Sequence, residues 1–450
     1  MRVLLISANQ LIEPYPVYPL GLDYVAGALG PAHQVLILDK NQIPGDDELR
    51  KTIHNFGPDI VGLSLRNVDT TDGSNPGGFL EAYVSLMDVI RGAVKAPVVL
   101  GGSGFTIFPS EAMALLKADF GVLGEGERMS LLLDAIEKNA DPSLIPGVIT
   151  FSDTAKTPPP PWNDGFSRRF DTQSAYLPFY LNHSGMLNLQ TKRGCPFRCI
   201  YCTYPHIEGH SMRLIPPQEV GQTAAELQAA GAKYLFITDS AFNADVNHSL
   251  AVARALQKSG VSIPWGAFFA PMPLPSDYFN IMADCGLTHV EFGTESLSDP
   301  VLAAYGKPFR SREVYGAHAQ AKQAGLHTAH YFLFGGPGET IDTLNETLGN
   351  MQRLEDCVFF LFCGMRIYPN TALYDLALAQ GQCQAGQNIF EPVYYQSSEI
   401  DSRVMLERIY EVANDRRHWL IGSGGKQTAA IKNRMYRRGF TGPLWEKLCP

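Results

Sequence analysis

The 450-residue chain has no apolar run that approaches the ~20 residues a membrane-spanning helix needs. It has no excess of positive charge. Its 36 Lys and Arg stand against 45 Asp and Glu, a net charge of −9, which argues against wholesale nucleic-acid binding. No secretion leader is expected. Residues 1–6, Met-Arg-Val-Leu-Leu-Ile, form too short an apolar run and read as a buried strand. The eight cysteines do not pair off along the chain as a disulfide framework would. Cys285, Cys357, Cys363, Cys383 and Cys449 are scattered, several in apolar runs, and read as reduced core residues. This cysteine usage is that of a cytoplasmic protein. With 45% hydrophobic and 18% charged residues, the chain reads as two or three ordinary globular domains.

What is present is concentrated in one short run, Lys192-Arg193-Gly194-Cys195-Pro196-Phe197-Arg198-Cys199-Ile200-Tyr201-Cys202. Three thiolates at C-x3-C-x2-C spacing can hold a metal centre, and a fourth cysteine is missing nearby. An iron–sulfur cluster usually takes four cysteines. Three leave one iron open, and an open position is where chemistry happens. Two other readings stay open on spacing alone. One is a zinc knuckle completed by His206 or His210. The other is a C-x2-C redox pair with a bystander.

Periodicity gives an α/β protein. Residues 1–145 alternate short apolar strands, at 3–7, 34–38, 60–65, 97–100 and 120–123, with helices such as 20–29 and 79–92. That pattern predicts a doubly wound parallel sheet, whose ligands bind at the carboxyl ends of its strands. Residues 146–185, with prolines at 158–161, read as a stiff connector. A second alternation fills 186–385, with strands expected at 187–191, 234–238, 263–269, 289–293, 328–334 and 358–367. Helices are expected between them, for example at 216–230 and 340–354. Six units are too few for a closed eight-stranded barrel and fit a partial (β/α)6 barrel. The cysteine run follows its first strand, on the face where barrel active sites form. Residues 386–450 are left as a small C-terminal extension. Residues 401–450 carry ten Lys and Arg against five Asp and Glu. Arg434, Arg437 and Arg438 are interleaved there with Met435, Tyr436, Phe440 and Trp445. The segment reads as a helix docked on the barrel, or as a surface for an anionic partner.

Several further motifs join the cysteines. They are Thr238-Asp239-Ser240-Ala241-Phe242-Asn243, Gly293-Thr294-Glu295-Ser296 with Lys307 downstream, Gly335-Gly336-Pro337-Gly338-Glu339-Thr340, and Tyr368-Pro369-Asn370-Thr371-Ala372-Leu373-Tyr374. Together with the cysteine run they make the second half resemble the radical S-adenosylmethionine (SAM) core. The resemblance implies a [4Fe-4S] cluster on Cys195, Cys199 and Cys202, with SAM on the open iron. It implies SAM contacts at Tyr201, Asp239, Glu295, Ser296, Gly335 and Gly336. Glu295 can accept hydrogen bonds from ribose hydroxyls. Arg366 is a candidate clamp for a carboxylate. A structural ion pair is the alternative for Glu295 and Arg366.

The first half resembles the cobalamin-binding, Rossmann-like domain that precedes this core in one large subfamily. The matching pieces are Pro19-Leu20-Gly21-Leu22-Asp23-Tyr24-Val25-Ala26, Gly62-Leu63-Ser64-Leu65, Gly101-Gly102-Ser103 and residues 119–127, Asp-Phe-Gly-Val-Leu-Gly-Glu-Gly-Glu. The resemblance places cobalamin against Tyr18, Leu20, Ser64, Arg66, Asn67, Gly102, Ser103, Gly104, Gly124, Glu125 and Gly126. Many cobalamin proteins carry D-x-H-x-x-G after the first strand. Here the loop at 8–18 has no histidine, and His33 is out of register. Arg66 is therefore expected at the lower face of cobalt, as a permanent cation and a poor ligand. Tyr15, Tyr18 and Asn67 are secondary candidates. The alternative for Arg66 is an ion pair with Asp69 or Asp72.

The resemblance implies a cobalamin-dependent radical SAM methyltransferase. A 5′-deoxyadenosyl radical would activate an unreactive carbon and methylcobalamin would supply the methyl group. A flavodoxin- or ferredoxin-type electron donor is implied, with a small-molecule, lipid or peptidyl substrate. A ring-forming or rearranging reaction on the same cofactors, and a cluster-bearing binding or redox protein, are the competing expectations.

Overall fold

The computed structural model describes residues 1–12, 15–151, 153, 159–422 and 424–449. Pro158 of the expected proline segment lies outside the described residues, as do residues 13 and 14 of the histidine-free loop.

The first sheet has six strands in the order Gln34–Asp39, Arg2–Ser7, Ile60–Ser64, Val98–Gly101, Phe120–Val122 and Val148–Thr150. The first five run parallel. The last is antiparallel and carries the domain five residues beyond the expected boundary at 145. Parallel strands covered on both faces read as continuous apolar runs, and Val3–Ile6 are at most 1% exposed. The strand order reverses direction at Arg2–Ser7, and in such sheets the ligand crevice opens beside that point. The helix Leu20–Leu29 lies next to it.

The second sheet is open and wholly parallel. Its order is Trp419–Ile421, Cys357–Cys363, His327–Phe334, Leu287–Glu295, Trp265–Phe269, Tyr234–Ile237, Met186–Leu189. Six of these are the expected strands. The seventh, Trp419–Ile421, comes from the C-terminal extension, which is therefore part of the barrel wall. Helices such as Pro217–Ala229, Val246–Lys258 and Ile341–Met351 cover its outside. Two of them begin at side-chain caps, Asp245 and Thr340, which satisfy otherwise orphaned N–H groups.

The basic segment docks on the barrel. Trp445 is 3% exposed and fills the amino end of the lumen against Ala329, Val358, Phe360 and Leu420. Its indole donates to Glu291 Oε1 at 2.9 Å.

Buried ion pairs weld the two sheets together. Arg193 reaches Glu125 (2.8 Å) and Glu127 (2.6 Å), and Arg213 also reaches Glu125 (2.8 Å). Arg168, in the connector, reaches Asp23 at 2.9 Å. The connector lies so tightly on the first helix that a Cβ on Gly27 would sit 1.9 Å from Ser167 O. No described helix is long and apolar enough to cross a membrane.

Candidate functional site

The cysteine loop leaves the strand Met186–Leu189 and is pinned by its own backbone. Cys195 N–H donates to Gly209 O (3.1 Å), Ile200 N–H to Tyr305 O (3.1 Å) and Cys202 N–H to Cys199 O (3.2 Å). Gly194 has φ +85°, and a Cβ there would meet Ser211 O at 2.3 Å, so only glycine fits. Cys195 is buried, and Cys199 and Cys202 are half-buried. Burial pushes the Cys199 thiol up and the Cys202 thiol up to about 12. Bare thiols here stay neutral, and a bound metal supplies the charge that makes them thiolates.

One zinc ion, at ~2.3 Å from each sulfur, needs its donors crowded together. Among the described residues, the group of three His, Cys or acidic donors within 4.8 Å is His318, His330 and Cys357, well away from this loop. His210 is exposed, and His206 has Asn370 as its side-chain partner, at 3.5 Å. The three thiols are thus spread wider than a single ion requires. That donor set fits a multi-iron cluster with one open iron.

Beside the loop sits a compact charged group. Tyr201 Oη donates to Glu295 Oε1 at 2.8 Å. Lys307 Nζ donates to Tyr201 Oη at 3.0 Å and to Glu295 Oε1 at 3.1 Å, and lies 3.8 Å from Cys199 Sγ. Burial works against the Lys307 charge, but Glu295 and Cys199 outweigh it and hold its pKa above the ordinary value. Glu295 has φ +63°, a left-handed backbone that costs a non-glycine residue roughly 1–3 kcal/mol.

The other residues expected around SAM have hydrogen-bond partners of their own. Asp239 accepts from Thr191 N–H (2.9 Å) and the Thr191 hydroxyl (2.5 Å). Ser296 Oγ pairs with Thr347 Oγ1 (2.9 Å) and accepts from Ser298 N–H (3.1 Å). Gly335 N–H goes to Glu339 (3.1 Å) and Gly336 N–H to Tyr305 Oη (3.2 Å). A Cβ on Gly336 would strike the Tyr305 ring at 2.5 Å, so that glycine serves packing. Arg366 is the clearest correction. It is 2% exposed, pairs with Asp69 at 2.8 Å, and donates to Ile367 O and Ile389 O. Nothing of its guanidinium is left to clamp a ligand. It ties the barrel to the first domain.

A cavity of about 520 Å³ opens at the carboxyl ends of the first sheet. All eleven residues expected around cobalamin line it: Tyr18, Leu20, Ser64, Arg66, Asn67, Gly102, Ser103, Gly104, Gly124, Glu125 and Gly126. Asn188, Gln190 and Thr238 of the barrel face them, and residues 203, 204, 207 and 208, just past Cys202, close one end. Gly102 has φ +94°, and a Cβ there would meet Leu65 O at 2.6 Å, so the wall stays flat. Glu125 is held by Arg193 and Arg213, and Tyr18 Oη by Asp23 and Tyr176, so both shape the wall more than they offer hydrogen bonds.

Arg66 differs from its neighbours. It has no carboxylate partner among the described residues; Asp69 is taken by Arg366, and Asp72 accepts from Ser74. Its side chain is open to the cavity; crowding by the surrounding protein lowers its pKa, and Tyr180, Tyr15 and Tyr83 counter this. Asn67 Oδ1 nearby is buried with no partner. An unpaired cation, an orphaned acceptor and a glycine wall fit a large polar ligand such as cobalamin. Tyr83 arrives on the expected helix 79–92 and Tyr180 on the helix Leu177–His183 inside the expected connector, so neither carries a sequence signal for this place.

The family model of the radical SAM superfamily matches residues 189–350, and that of the B12 binding domain matches residues 14–133. The chain is 24% identical to tryptophan 2-C-methyltransferase of Streptomyces laurentii, over 91% of this chain and 79% of that one. It is 25% identical to cytidylyl-2-hydroxyethylphosphonate methyltransferase of Streptomyces wedmorensis, over 74% and 72%. The fold matches the radical SAM methyltransferase TsrM of Kitasatospora setae, solved with tryptophan and a SAM analogue. The TM-score is 0.88 at 20% identity, covering 99% of this chain and 97% of that one. The cobalamin-dependent radical enzyme OxsB matches with a TM-score of 0.70 at 16% identity, over 97% and 71%. Residues 14–133 thus form a B12 binding domain, and residues 189–350 a domain of the radical SAM superfamily that follows it.

Proposed function

We propose that this chain is a cobalamin-dependent radical SAM methyltransferase that places a methyl group on a carbon of a small molecule. The observation that carries the reading is the cavity of the first sheet, which ends beside the cluster loop. It runs from Arg66 on the first sheet to the residues directly after Cys202. When bound, the cluster, SAM and cobalamin supply the electron transfer and the methyl and radical chemistry. The chain's own residues bind, orient and exclude water. Cys195, Cys199 and Cys202 hold the cluster. Glu295, fixed by Lys307 and Tyr201, accepts from the ribose hydroxyls of SAM. Lys307 also offsets negative charge at Cys199.

Arg66 would stand at the cobalamin site as a permanent cation. Its guanidinium keeps its charge and coordinates poorly. Set near Tyr15, Tyr83 and Tyr180, it would meet the cobalamin as a cation rather than as a ligand. The relatives named above act on different substrates, so the small molecule is left open; tryptophan is the first to try. An external flavodoxin- or ferredoxin-type donor and a cytoplasmic setting accord with eight free thiols.

The test is an anaerobic assay of the reconstituted full-length protein with SAM, cobalamin, a reductant and candidate substrates. S-adenosylhomocysteine and a product heavier by one CH2 unit are expected. A rearranged product of unchanged mass sinks the methylation reading. An outcome with neither SAM cleavage nor S-adenosylhomocysteine sinks the enzymatic one.

A further inference from the structure

Glu295 stands on an irregular strand end. Along Leu287–Glu295, Gly293 pairs with Tyr331 and Glu295 with Phe332, so Thr294 is the extra residue of a bulge. Ser296 N–H donates to Thr294 O at 2.8 Å, closing a three-residue turn around Glu295. With φ +63° at Glu295 this is the rare, strained sense of that turn. Such geometry persists only where its surroundings impose it.

Those surroundings include a buried chain of hydrogen bonds. Thr294 Oγ1 meets His330 Nδ1 at 2.8 Å, His330 Nε2 meets His318 Nδ1 at 3.1 Å, and His318 Nε2 meets Glu355 O at 3.1 Å. The direction of the chain follows from its end. A backbone carbonyl only accepts, so His318 Nε2 carries the proton and Nδ1 accepts from His330 Nε2–H. His330 Nδ1 then has only a lone pair, and the Thr294 hydroxyl must donate to it. Burial pushes both imidazoles down, His318 to about 4, so both are neutral as this assignment requires. The facing nitrogens and Cys357 Sγ lie within 4.8 Å of one another, a spacing a metal ion could use. Each of those groups already has a hydrogen bond, that of Cys357 Sγ running to Leu354 O at 3.3 Å, so the chain needs no ion. On the other side of the turn, the Ser296–Thr347 hydroxyl pair grips the next residue.

We propose that His330, acting through Thr294, is a positioning residue for SAM. It holds the bulge that aims the Glu295 carboxylate at Tyr201, Lys307 and the cluster loop. This rests on the reading of Glu295 as the ribose contact. Bulges beside active sites re-aim side chains in this way.

The test measures SAM affinity and steady-state kinetics on the full-length protein carrying its cluster and cobalamin. Thr294→Val keeps the shape and removes the hydroxyl. Its SAM Kd and KM should rise about tenfold while kcat at saturating SAM stays within about twofold. Iron content, cobalamin content and Tm should hold. Thr294→Ser should restore wild-type affinity, and His330→Phe should resemble Thr294→Val. Wild-type SAM affinity in Thr294→Val overturns the proposal. Glu295→Ala separates the two layers. If it binds SAM normally, the ribose assignment itself fails. If it binds weakly while Thr294→Val binds normally, only the positioning role fails.

Discussion

Two glutamates on one strand, Glu291 and Glu295, face the same lumen and live under opposite conditions. Glu295, at the carboxyl end, lies 3.1 Å from Lys307 and is 15% exposed. Glu291, four residues deeper, is fully buried and accepts from two neutral donors. Tyr331 Oη donates to it at 2.7 Å and the Trp445 indole at 2.9 Å. Burial pushes its carboxyl up to about 7, and the hydrogen bonds and the more distant Lys432 offset that only in part. Strand position alone would treat the two alike. The partner brought from another element decides. A lysine makes one a charged binding group, and an indole from the C-terminal extension makes the other a plug. The upper end of the lumen is built for ligands and the lower end for closure.

The comparison can be broken at several points. Cys199→Ser should remove it at the top. Iron and acid-labile sulfide are lost, and product formation falls roughly a thousandfold or more. Retained iron at wild-type level would show that this cysteine is no ligand. Trp445→Ala attacks the floor. Removing a buried indole should cost about 3–5 kcal/mol, read from urea unfolding, with SAM affinity per folded molecule unchanged. A loss of SAM affinity without loss of stability would show that the two ends are not separate in role. Lys307→Met should weaken SAM binding roughly a hundredfold, because it leaves the Glu295 carboxylate buried without its cation. Glu291→Gln should leave SAM binding intact, and that contrast is the sharpest version of the comparison.

The smallest effect is a pH dependence. The folded pKa of Glu291 lies above its unfolded value near 4.5, so the folded state holds the proton more tightly between there and about 7. Wild-type stability therefore loses this contribution as pH rises through that window, by at most ~1.4 kcal/mol per pH unit. Glu291→Gln removes the loss. Its stability relative to wild type should improve by about 1–3 kcal/mol between pH 5 and pH 8, read from paired unfolding curves. A difference that does not change with pH would mean that Glu291 is ionised throughout.

Local pattern carried much of this to the eye. Strand and helix periods placed six barrel strands, and the cysteine spacing placed the cluster loop, because both signals lie within a few residues. What failed was long range. Arg366 looked free because its partner, Asp69, lies 297 residues away. Ser296 looked available until Thr347 appeared beside it. The partners of the Gly335 and Gly336 N–H groups, Glu339 and Tyr305, were equally out of reach of local pattern. The strand Trp419–Ile421 is too short to announce itself, and only its pairing with Cys357–Cys363 defines it. The bulge at Thr294 has no sequence period at all. The wall around Arg66 fared better, since glycines needed for close backbone approach leave a mark in the sequence.

Arg193 lies two residues before the first cluster cysteine, yet its guanidinium rests between two carboxylates of the other domain. Here the seam cannot be cut cleanly. A barrel transplanted without its companion would carry a stranded cation at the root of its cluster loop, and the companion would keep two stranded anions at the rim of its cavity. A working hybrid would have to bring the partner charges with it. In this chain, inheritance of one cofactor site is tied to inheritance of the other.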